Sequence, residues 1–102
     1  GEPGTDITVP VEFILNDPYP NPFNGVVKFS IYMLNNSTIT VNIINLNGKR
    51  IRKLFSGETT SGNHNYIWHG VDEQGNQAAS GIYYIKVTGK STQEWRPITY
   101  LK

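Results

Sequence analysis

The sequence predicts an all-β fold, an antiparallel β-sandwich of about seven short strands with Greek-key connections. Apolar residues recur at every second position in several segments, and no segment of the 102 residues shows an apolar period of 3.6. Clusters of Gly, Asn, Asp and Ser separate these segments, as turns do. Hydrophobic residues make up 37% of the chain, which is enough for one core in one small domain.

The first half of the chain contains three alternating segments. Around the polar Glu12, the apolar residues are Val11, Phe13 and Leu15. The second segment, "VVKFSIYML", places four apolar residues on one predicted face: Val27, Phe29, Ile31 and Met33. The third, "TITVNI", does the same with Ile39, Val41 and Ile43. "NLNG" at 45–48 then predicts a hairpin turn, since Gly48 can adopt a positive φ.

The second half contains four further segments. In "KRIRKLF", Ile51 and Leu54 are three positions apart, which predicts a bulge. "TTSGNHN" is a turn cluster, and "NYIWH" is a short aromatic strand. "IYYIKVT" is the strongest strand pattern, with one apolar face made of Tyr83, Ile85 and Val87. The last strand is "EWRPITYLK", residues 94–102.

Composition excludes several classes of protein. A net charge of +1, from 9 basic and 8 acidic residues, argues against a nucleic-acid surface. The absence of cysteine excludes disulfides, thiolate catalysis and cysteine-type zinc or iron–sulfur sites. No apolar run approaches the roughly 20 residues that a membrane helix needs, so no membrane span is predicted. Residues 1–8 are predicted to be a linker and residues 9–102 a single domain of a longer protein.

No pattern of residues predicts a catalytic, metal or cofactor site, so no enzyme activity is expected. His64 and His69, five positions apart, point to opposite faces, which favours surface or turn roles over a shared metal site. Asp72, Glu73 and Asn76 lack the ligand spacing of an EF-hand, and "VDEQGN" is typical of a turn. Trp68 is predicted to lie in the core. The location of Trp95 stays open, and two exposed tryptophans would favour a sugar-binding platform.

Two segments have both a structural and a functional interpretation. "KRIRK", residues 49–53, is either a docking patch for an anionic surface or an edge strand protected by charge, and the second is favoured. "DPYPNPFN", residues 17–24, has a proline at every second position. Prolines fix φ and remove donors, so this segment, called the strap, is predicted to be stiff and extended at an exposed edge. Tyr19 and Phe23 are expected to anchor it over the end of the sandwich.

The order of the motifs resembles the type A C-terminal sorting domain of the bacterial type IX secretion system. "YPNPFN", "VNIINLNGKRIRKL", "SGNHNYIWHGVDEQGN" and "ASGIYYIKV" follow one another as in that family, over residues 13–102. The Ig-like domain of the flagellar hook-capping protein is similar in shape. The positions that match the family motif are Tyr19, Pro20, Asn21, Pro22, Phe23, Asn24, Gly48, Gly62, His64, Trp68, Gly70, Asp72, Gly75, Ser80, Gly81 and Tyr83.

The resemblance implies an Ig-like sandwich that acts as a non-catalytic address label. Such a domain directs an upstream cargo domain of the same polypeptide from the periplasm through the outer-membrane translocon. A sortase-like peptidase can then remove it and attach the cargo to the cell surface. A monomer is expected. The candidate recognition residues lie in the last strand, whose second edge is expected to be free for a receptor: Ile98, Thr99, Tyr100, Leu101 and Lys102.

Two other functions remain open. One is an accessory carbohydrate-binding module of a secreted multidomain protein. The other is an Ig-like structural or assembly module of the flagellar-hook type.

Overall fold

The computed structural model describes residues 11–102, which contain seven β-strands and no helix. The strands are β1 (Phe13–Leu15), β2 (Val27–Met33), β3 (Ser37–Asn45), β4 (Arg50–Thr59), β5 (Gly62–Trp68), β6 (Gly81–Thr88) and β7 (Gln93–Tyr100). The predicted all-β sandwich is confirmed. The predicted linker, residues 1–8, lies outside the described residues.

Two antiparallel sheets face each other across one core. The smaller sheet has the strand order β1-β2-β5 and the larger has the order β4-β3-β6-β7. Every second residue of β2, β3 and β6 is buried, as the period-2 pattern predicts. The predicted inward faces of β2, β3 and β6 all lie in this core, together with Trp68, Ile98 and Tyr100.

The β3–β4 pair contains the predicted irregularity. Val41 pairs with Phe55 and Asn42 with Lys53, so the register skips Leu54. A second shift between Ile43 and Ile44 skips Ile51. The two apolar residues that break the alternation are therefore the two bulged residues. The turn between the strands has Gly48 at φ 83°, as predicted.

Two expectations near the start of the chain are wrong. Val11 does not share the buried face of β1, since it lies before the strand and is 55% exposed. The strap is not continuously extended, because it bends at residues 20–22, where the Tyr19–Pro20 and Asn21–Pro22 bonds are cis. It crosses from one sheet to the other: Tyr19 pairs with Lys28 of β2, and Phe23 pairs in parallel with Tyr100 of β7.

Candidate functional site

Four aromatic rings meet at one end of the sandwich, called here the motif end. Trp68 is fully buried, as predicted, and the Phe23, Tyr83 and Tyr100 ring centroids lie 5.8, 5.2 and 6.0 Å from its own. Phe23 stacks on Tyr100 at 4.9 Å. The Trp68 indole Nε1 donates to the Val71 carbonyl at 2.9 Å. Burial, and secondarily the neighbouring Tyr100, raise the pKa of the Tyr83 phenol. This cluster joins the strap, β5, β6 and β7.

The turn after β5 closes over this cluster. Gly70 has φ 71°, and a Cβ there would lie 2.8 Å from the Tyr100 ring, so glycine permits both the backbone turn and the close packing. The Asp72 carboxylate accepts the Gln74 and Asn76 amides at 2.9 Å, which confirms the predicted turn. Gln77 Nε2 donates to the Tyr100 hydroxyl at 2.7 Å. The turn thus holds the end of β7 from one side.

The strap holds β7 from the other side. The Phe23 amide donates to the Thr99 carbonyl at 3.0 Å, and the Leu101 amide donates to the Phe23 carbonyl at 2.9 Å. Two residues earlier, the Asn21 side chain substitutes for a peptide group. Its Oδ1 accepts the Thr99 amide at 2.9 Å, and its Nδ2 donates to the Pro97 carbonyl at 3.0 Å. The outer edge of β7 is therefore paired over residues 97–101.

This pairing overturns the expectation that the terminal strand offers a free edge to a receptor. Of the five candidate recognition residues, Ile98 and Tyr100 are core residues, and Thr99 is half-buried beneath the strap. Leu101 and Lys102 remain exposed, and the Lys102 amide donates to the Ser80 Oγ at 3.0 Å. With Pro20, Pro22 and Asn24, these two residues line a shallow groove.

The remaining motif residues divide between the two ends of the sandwich. Phe23, Trp68, Gly70, Ser80 and Tyr83 meet at the motif end through the contacts given above, and Tyr83 donates its hydroxyl to the Ala79 carbonyl at 2.6 Å. Tyr19 does not anchor the strap through its ring as expected, because that side chain is 63% exposed. Three more positions lie in turns or at a strand start: Gly48, Gly75 and Gly81.

Gly62 and His64 lie in the half of β5 away from the motif end, where His64 Nε2 contacts the Thr60 carbonyl at 2.7 Å. His69, after β5, is exposed. In residues 11–102 there is no cluster of three or more His, Asp or Glu side chains that could hold a metal ion. No helix in this part of the chain is long and apolar enough to span a membrane.

Glu12, at the opposite end of the sandwich, was not identified from the sequence. Its carboxylate accepts the backbone amides of Lys90, Ser91 and Thr92 at 3.2, 2.9 and 2.8 Å. The Ser37 hydroxyl donates to it at 3.2 Å. Burial alone would raise the pKa of this carboxyl, but these hydrogen bonds outweigh burial and lower the pKa below its usual value. A single acid at a strand start carries no sequence signal for this contact.

Arg96 makes a second contact that the sequence did not indicate. Its Nη2 donates to the Leu15 carbonyl at 2.9 Å, across the gap between the two sheets. Glu12, Arg96 and the strap therefore join the first strand to β7 along the whole of one side of the sandwich.

The basic segment belongs to an edge strand, as the favoured interpretation predicts. β4 is the outer strand of the larger sheet. The Arg50 guanidinium lies 3.1 Å from the Glu73 carboxylate, and Arg52 donates to the Asp72 carbonyl at 2.7 Å. The turn after β5 thus covers this edge.

The two tryptophans do not form a sugar-binding platform. Trp68 has no exposed surface, and only Trp95 reaches solvent, with 41% of its surface exposed. The Lys86 ammonium lies 4.8 Å above the Trp95 ring, and Tyr84 meets it edge-on. The condition for that form of carbohydrate binding is therefore not met.

Comparison with known proteins finds one matching family and three solved structures with a similar fold. The family model described as "FlgD Ig-like domain" matches residues 20–93. No curated protein sequence matches the chain. Dimeric latent PorU from Porphyromonas gingivalis is similar over 94% of this chain, with a TM-score of 0.70 and 15% identity.

FlgD from Xanthomonas campestris, described as a hook-capping protein essential for flagellar assembly, is similar over 86% of the chain, with a TM-score of 0.58 and 21% identity. PorZ, described as a surface component of the type-IX secretion system of P. gingivalis, is similar over 88%, with a TM-score of 0.52 and 22% identity. The chain spans 10% of PorU, 66% of FlgD and 11% of PorZ. At these identities the likeness shows the fold.

Proposed function

The chain belongs to the FlgD Ig-like domain family, and from that premise we propose that it is a non-catalytic sorting domain that directs a larger cargo protein through an outer-membrane type IX translocon. In this proposal residues 9–102 form the domain and residues 1–8 link it to the cargo. The cargo passes through the periplasm and is then secreted or attached to the cell surface. The partners are the translocon, a sortase-like peptidase and the upstream cargo domain.

The observation that carries the proposal is the joining of the strap and the last residues at the motif end. Phe23, Trp68, Tyr83 and Tyr100 pack together, and Asn21 and Phe23 pair with residues 97–101. Some of the positions that carry the family resemblance, among them Asn21, Phe23 and Trp68, thus hold the strap and Leu101–Lys102 in one fixed arrangement. A fixed, exposed arrangement is what a receptor needs, because little entropy is lost when it binds.

The direction of the chain supports the proposal. The described residues begin beside the 89–92 hairpin, where Glu12 is bound, and end at the motif end beside Ser80. β7 runs between these two points over eight residues, or about 25 Å. The two ends of the described chain therefore lie at opposite ends of the sandwich. The fold of PorZ gives further support, since it occurs in a type IX component.

Export of a fusion protein tests the proposal. A reporter fused ahead of residues 9–102 should reach the surface of a type IX-competent bacterium, as measured by cell fractionation. Deleting residues 98–102 is an unsuitable test, because it removes two core side chains, Ile98 and Tyr100. Leu101→Ser with Lys102→Glu changes the exposed groove alone and should reduce export while the melting temperature stays near that of the unchanged domain.

Leu46→Ser is the matched control, since Leu46 is 64% exposed on the β3–β4 turn, outside the groove, and Leu101 is 50% exposed. Export of the control fusion should be normal. A fusion that stays in the periplasm although the domain is folded and unchanged would refute the sorting role.

The family match favours a second candidate, an Ig-like structural module that assembles with neighbouring domains. This candidate predicts that no fusion is exported and that the domain instead binds another part of its own full-length protein.

A further inference from the structure

The two sheets have four edge strands, β1, β4, β5 and β7, and three of them are protected. The strap pairs with β7, and Pro97 removes one donor from its edge. β4 has two bulges, and its Lys53 amide donates to the Glu73 carboxylate at 3.2 Å. β1 has only three residues and is joined to Arg96. Short length, bulges, charge and cover are the usual defences against pairing with other chains.

β5 has none of these defences. Its sequence, "GNHNYIW", contains no Lys, Arg, Asp, Glu or Pro. Its seven residues pair with β2 in one unbroken register, so no bulge twists the edge away. A seven-residue edge of this kind is a template for another strand.

The pairing on the other side of β2 identifies the free groups of β5. The backbone groups of Lys28 and Ser30 bond to Tyr19 and Asn16, on the β1 side. Because alternate residues of a strand point their backbone groups to opposite sides, Phe29 and Ile31 bond to β5, through their register partners Tyr66 and His64. The amides and carbonyls of Asn63, Asn65 and Ile67 therefore point outward, to the edge where the described residues place no further strand.

A groove beside this edge can receive side chains. It lies between β5 and β4, has a volume of about 330 Å³ and is lined by Phe55, Glu58, Thr59, Thr60, His64, Asn65 and Tyr66. Tyr66 stacks on Phe29 at 5.5 Å and meets Phe55 at 5.9 Å, so the wall is aromatic and anchored to the core. On the outer side, Asn63 and Asn65 present exposed amides. An added strand would thus direct alternate residues toward the aromatic wall of this groove and toward polar amides on the outer side.

We propose that β5 is the site at which an extended, uncharged segment of the export machinery adds to the smaller sheet, with apolar residues at every second position. This rests on the proposed sorting function and replaces β7 as the docking edge. The absence of formal charge on β5 favours a neutral segment, and the exposed Glu58 of the groove disfavours an acidic one. The aromatic wall favours apolar residues at alternate positions. β1, next to which the described residues begin, is the opposite edge of the same sheet.

Asn65 offers a test at the level of one backbone group. Asn65→Pro removes an outward amide and leaves the bonds between β2 and β5 intact, because those use the alternate residues. Asn65→Ala removes the same side chain and keeps the amide. The probe is a capped octapeptide that alternates valine and threonine, with amide shifts of the isolated domain measured by NMR.

The peptide should shift the amides of Asn63, Asn65 and Ile67 in the unchanged domain and in Asn65→Ala. Its affinity for Asn65→Pro should fall about tenfold, the effect of one lost hydrogen bond. Failure to bind the unchanged domain, or equal binding to Asn65→Pro, would overturn the inference. So would self-association that Asn65→Pro abolishes in sedimentation, because the occupant would then be a second copy.

If Asn65→Pro does not fold, a matched pair of charge changes replaces it. Ile67 and Tyr32 are 44% and 45% exposed on the outer face, but only Ile67 is on the edge strand. Ile67→Lys should weaken peptide binding and Tyr32→Lys should not. Equal effects of the two changes would refute the edge site.

Export then separates this inference from the proposed function. The unchanged and Asn65→Ala fusions should be exported, and the Asn65→Pro fusion should be retained. Export of all three would overturn the β5 site and leave the sorting function standing. Export of none would refute the sorting function, and the peptide measurement would still decide whether β5 accepts a strand.

Discussion

Asn21 pairs with β7 through its side chain, at a point where the strap backbone has few donors. Its amide group has the same donor and acceptor as a peptide group, and it bonds to the Pro97 carbonyl and the Thr99 amide. The prolines on either side of Asn21 contribute no N–H, so a residue with a side-chain amide supplies what the backbone lacks. This explains why asparagine is suited to the centre of the strap.

Asn21→Ala should lower the free energy of unfolding by about 1–2 kcal/mol, since two hydrogen bonds are lost at an exposed site. Asn21→Asp should cost at least as much at pH 7, because a carboxylate cannot donate to Pro97 and faces its carbonyl. Below a pH of about 3.9 the protonated acid regains a donor, and the difference between the Asp variant and the unchanged domain should shrink. Urea unfolding at pH 7 and pH 3 measures both. An Asp variant as stable as Asn21 at pH 7 would contradict the role given to the side-chain donor.

Trp68 is the residue on which the motif end depends most. It is fully buried and contacts three other rings. Trp68→Ala should lower the free energy of unfolding by about 3–5 kcal/mol, a large part of the roughly 5–15 kcal/mol that a small domain has. Trp95→Ala is the control, and it should cost only about 1–2 kcal/mol, since that ring is partly exposed and loses its contacts with Lys86 and Tyr84. Denaturant midpoints measure the difference, and equal midpoints for the two variants would contradict the assignment of Trp68 to the core.

At the level of elements, the sequence predicted those features that depend on residues close together in the chain. The alternation of apolar residues predicted the inward faces of β2, β3 and β6, and the spacing of Ile51 and Leu54 predicted a bulge where the structure has two. The partner of the strap was not predictable in this way. Phe23 and Tyr100 are far apart in sequence, and their parallel pairing depends on the packing of both sheets, which no short segment encodes. The free edge assigned to β7 was wrong for that reason.

The contact between β1 and the β6–β7 hairpin predicts a pH dependence. The folded state lowers the pKa of Glu12, so the ionised carboxylate stabilises the folded domain. This stabilisation is present above the unfolded pKa of about 4.3 and is lost as the pH falls through the folded pKa. Gly89 permits this contact, since a Cβ there would lie 2.5 Å from the Glu12 carboxylate. Glu12→Gln should therefore destabilise the domain at pH 7 and have a smaller effect at pH 3. Unfolding of both proteins at the two pH values checks this, and an effect independent of pH would contradict the hydrogen-bonded carboxylate.

At the scale of the whole molecule, one side of the sandwich is closed and the other is open. Glu12, Arg96, Asn21 and Phe23 join the chain before β2 to β7 along the closed side. On the open side, β4 is covered by the turn after β5, and the outer edge of β5 has no partner strand within residues 11–102. In this part of the chain, β5 therefore has the one uncovered strand edge. The asymmetry therefore favours β5 over β7 as the edge for the proposed recognition.

The contacts at the two ends of the closed side, made by Glu12 and Asn21, also predict how two substitutions there combine in their effect on stability. Glu12 bonds to Thr92, just before β7, and Asn21 bonds to Thr99 of β7; these partners are seven residues apart, which is about 24 Å of extended chain. The two sites share no partner, and a domain of this size unfolds as one cooperative unit, so their effects should add. The double variant Glu12→Gln with Asn21→Ala should lose the sum of the two single losses within about 0.5 kcal/mol. If the free energy of unfolding of the double variant falls by at least about 1 kcal/mol less than this sum, the chain from Glu12 to Phe23 detaches from β7 as a unit once either end is released. Amide exchange of Thr99 and Leu101 distinguishes these cases, because detachment would speed their exchange in the Glu12→Gln variant, and cooperative unfolding would leave their protection tied to the stability of the whole domain.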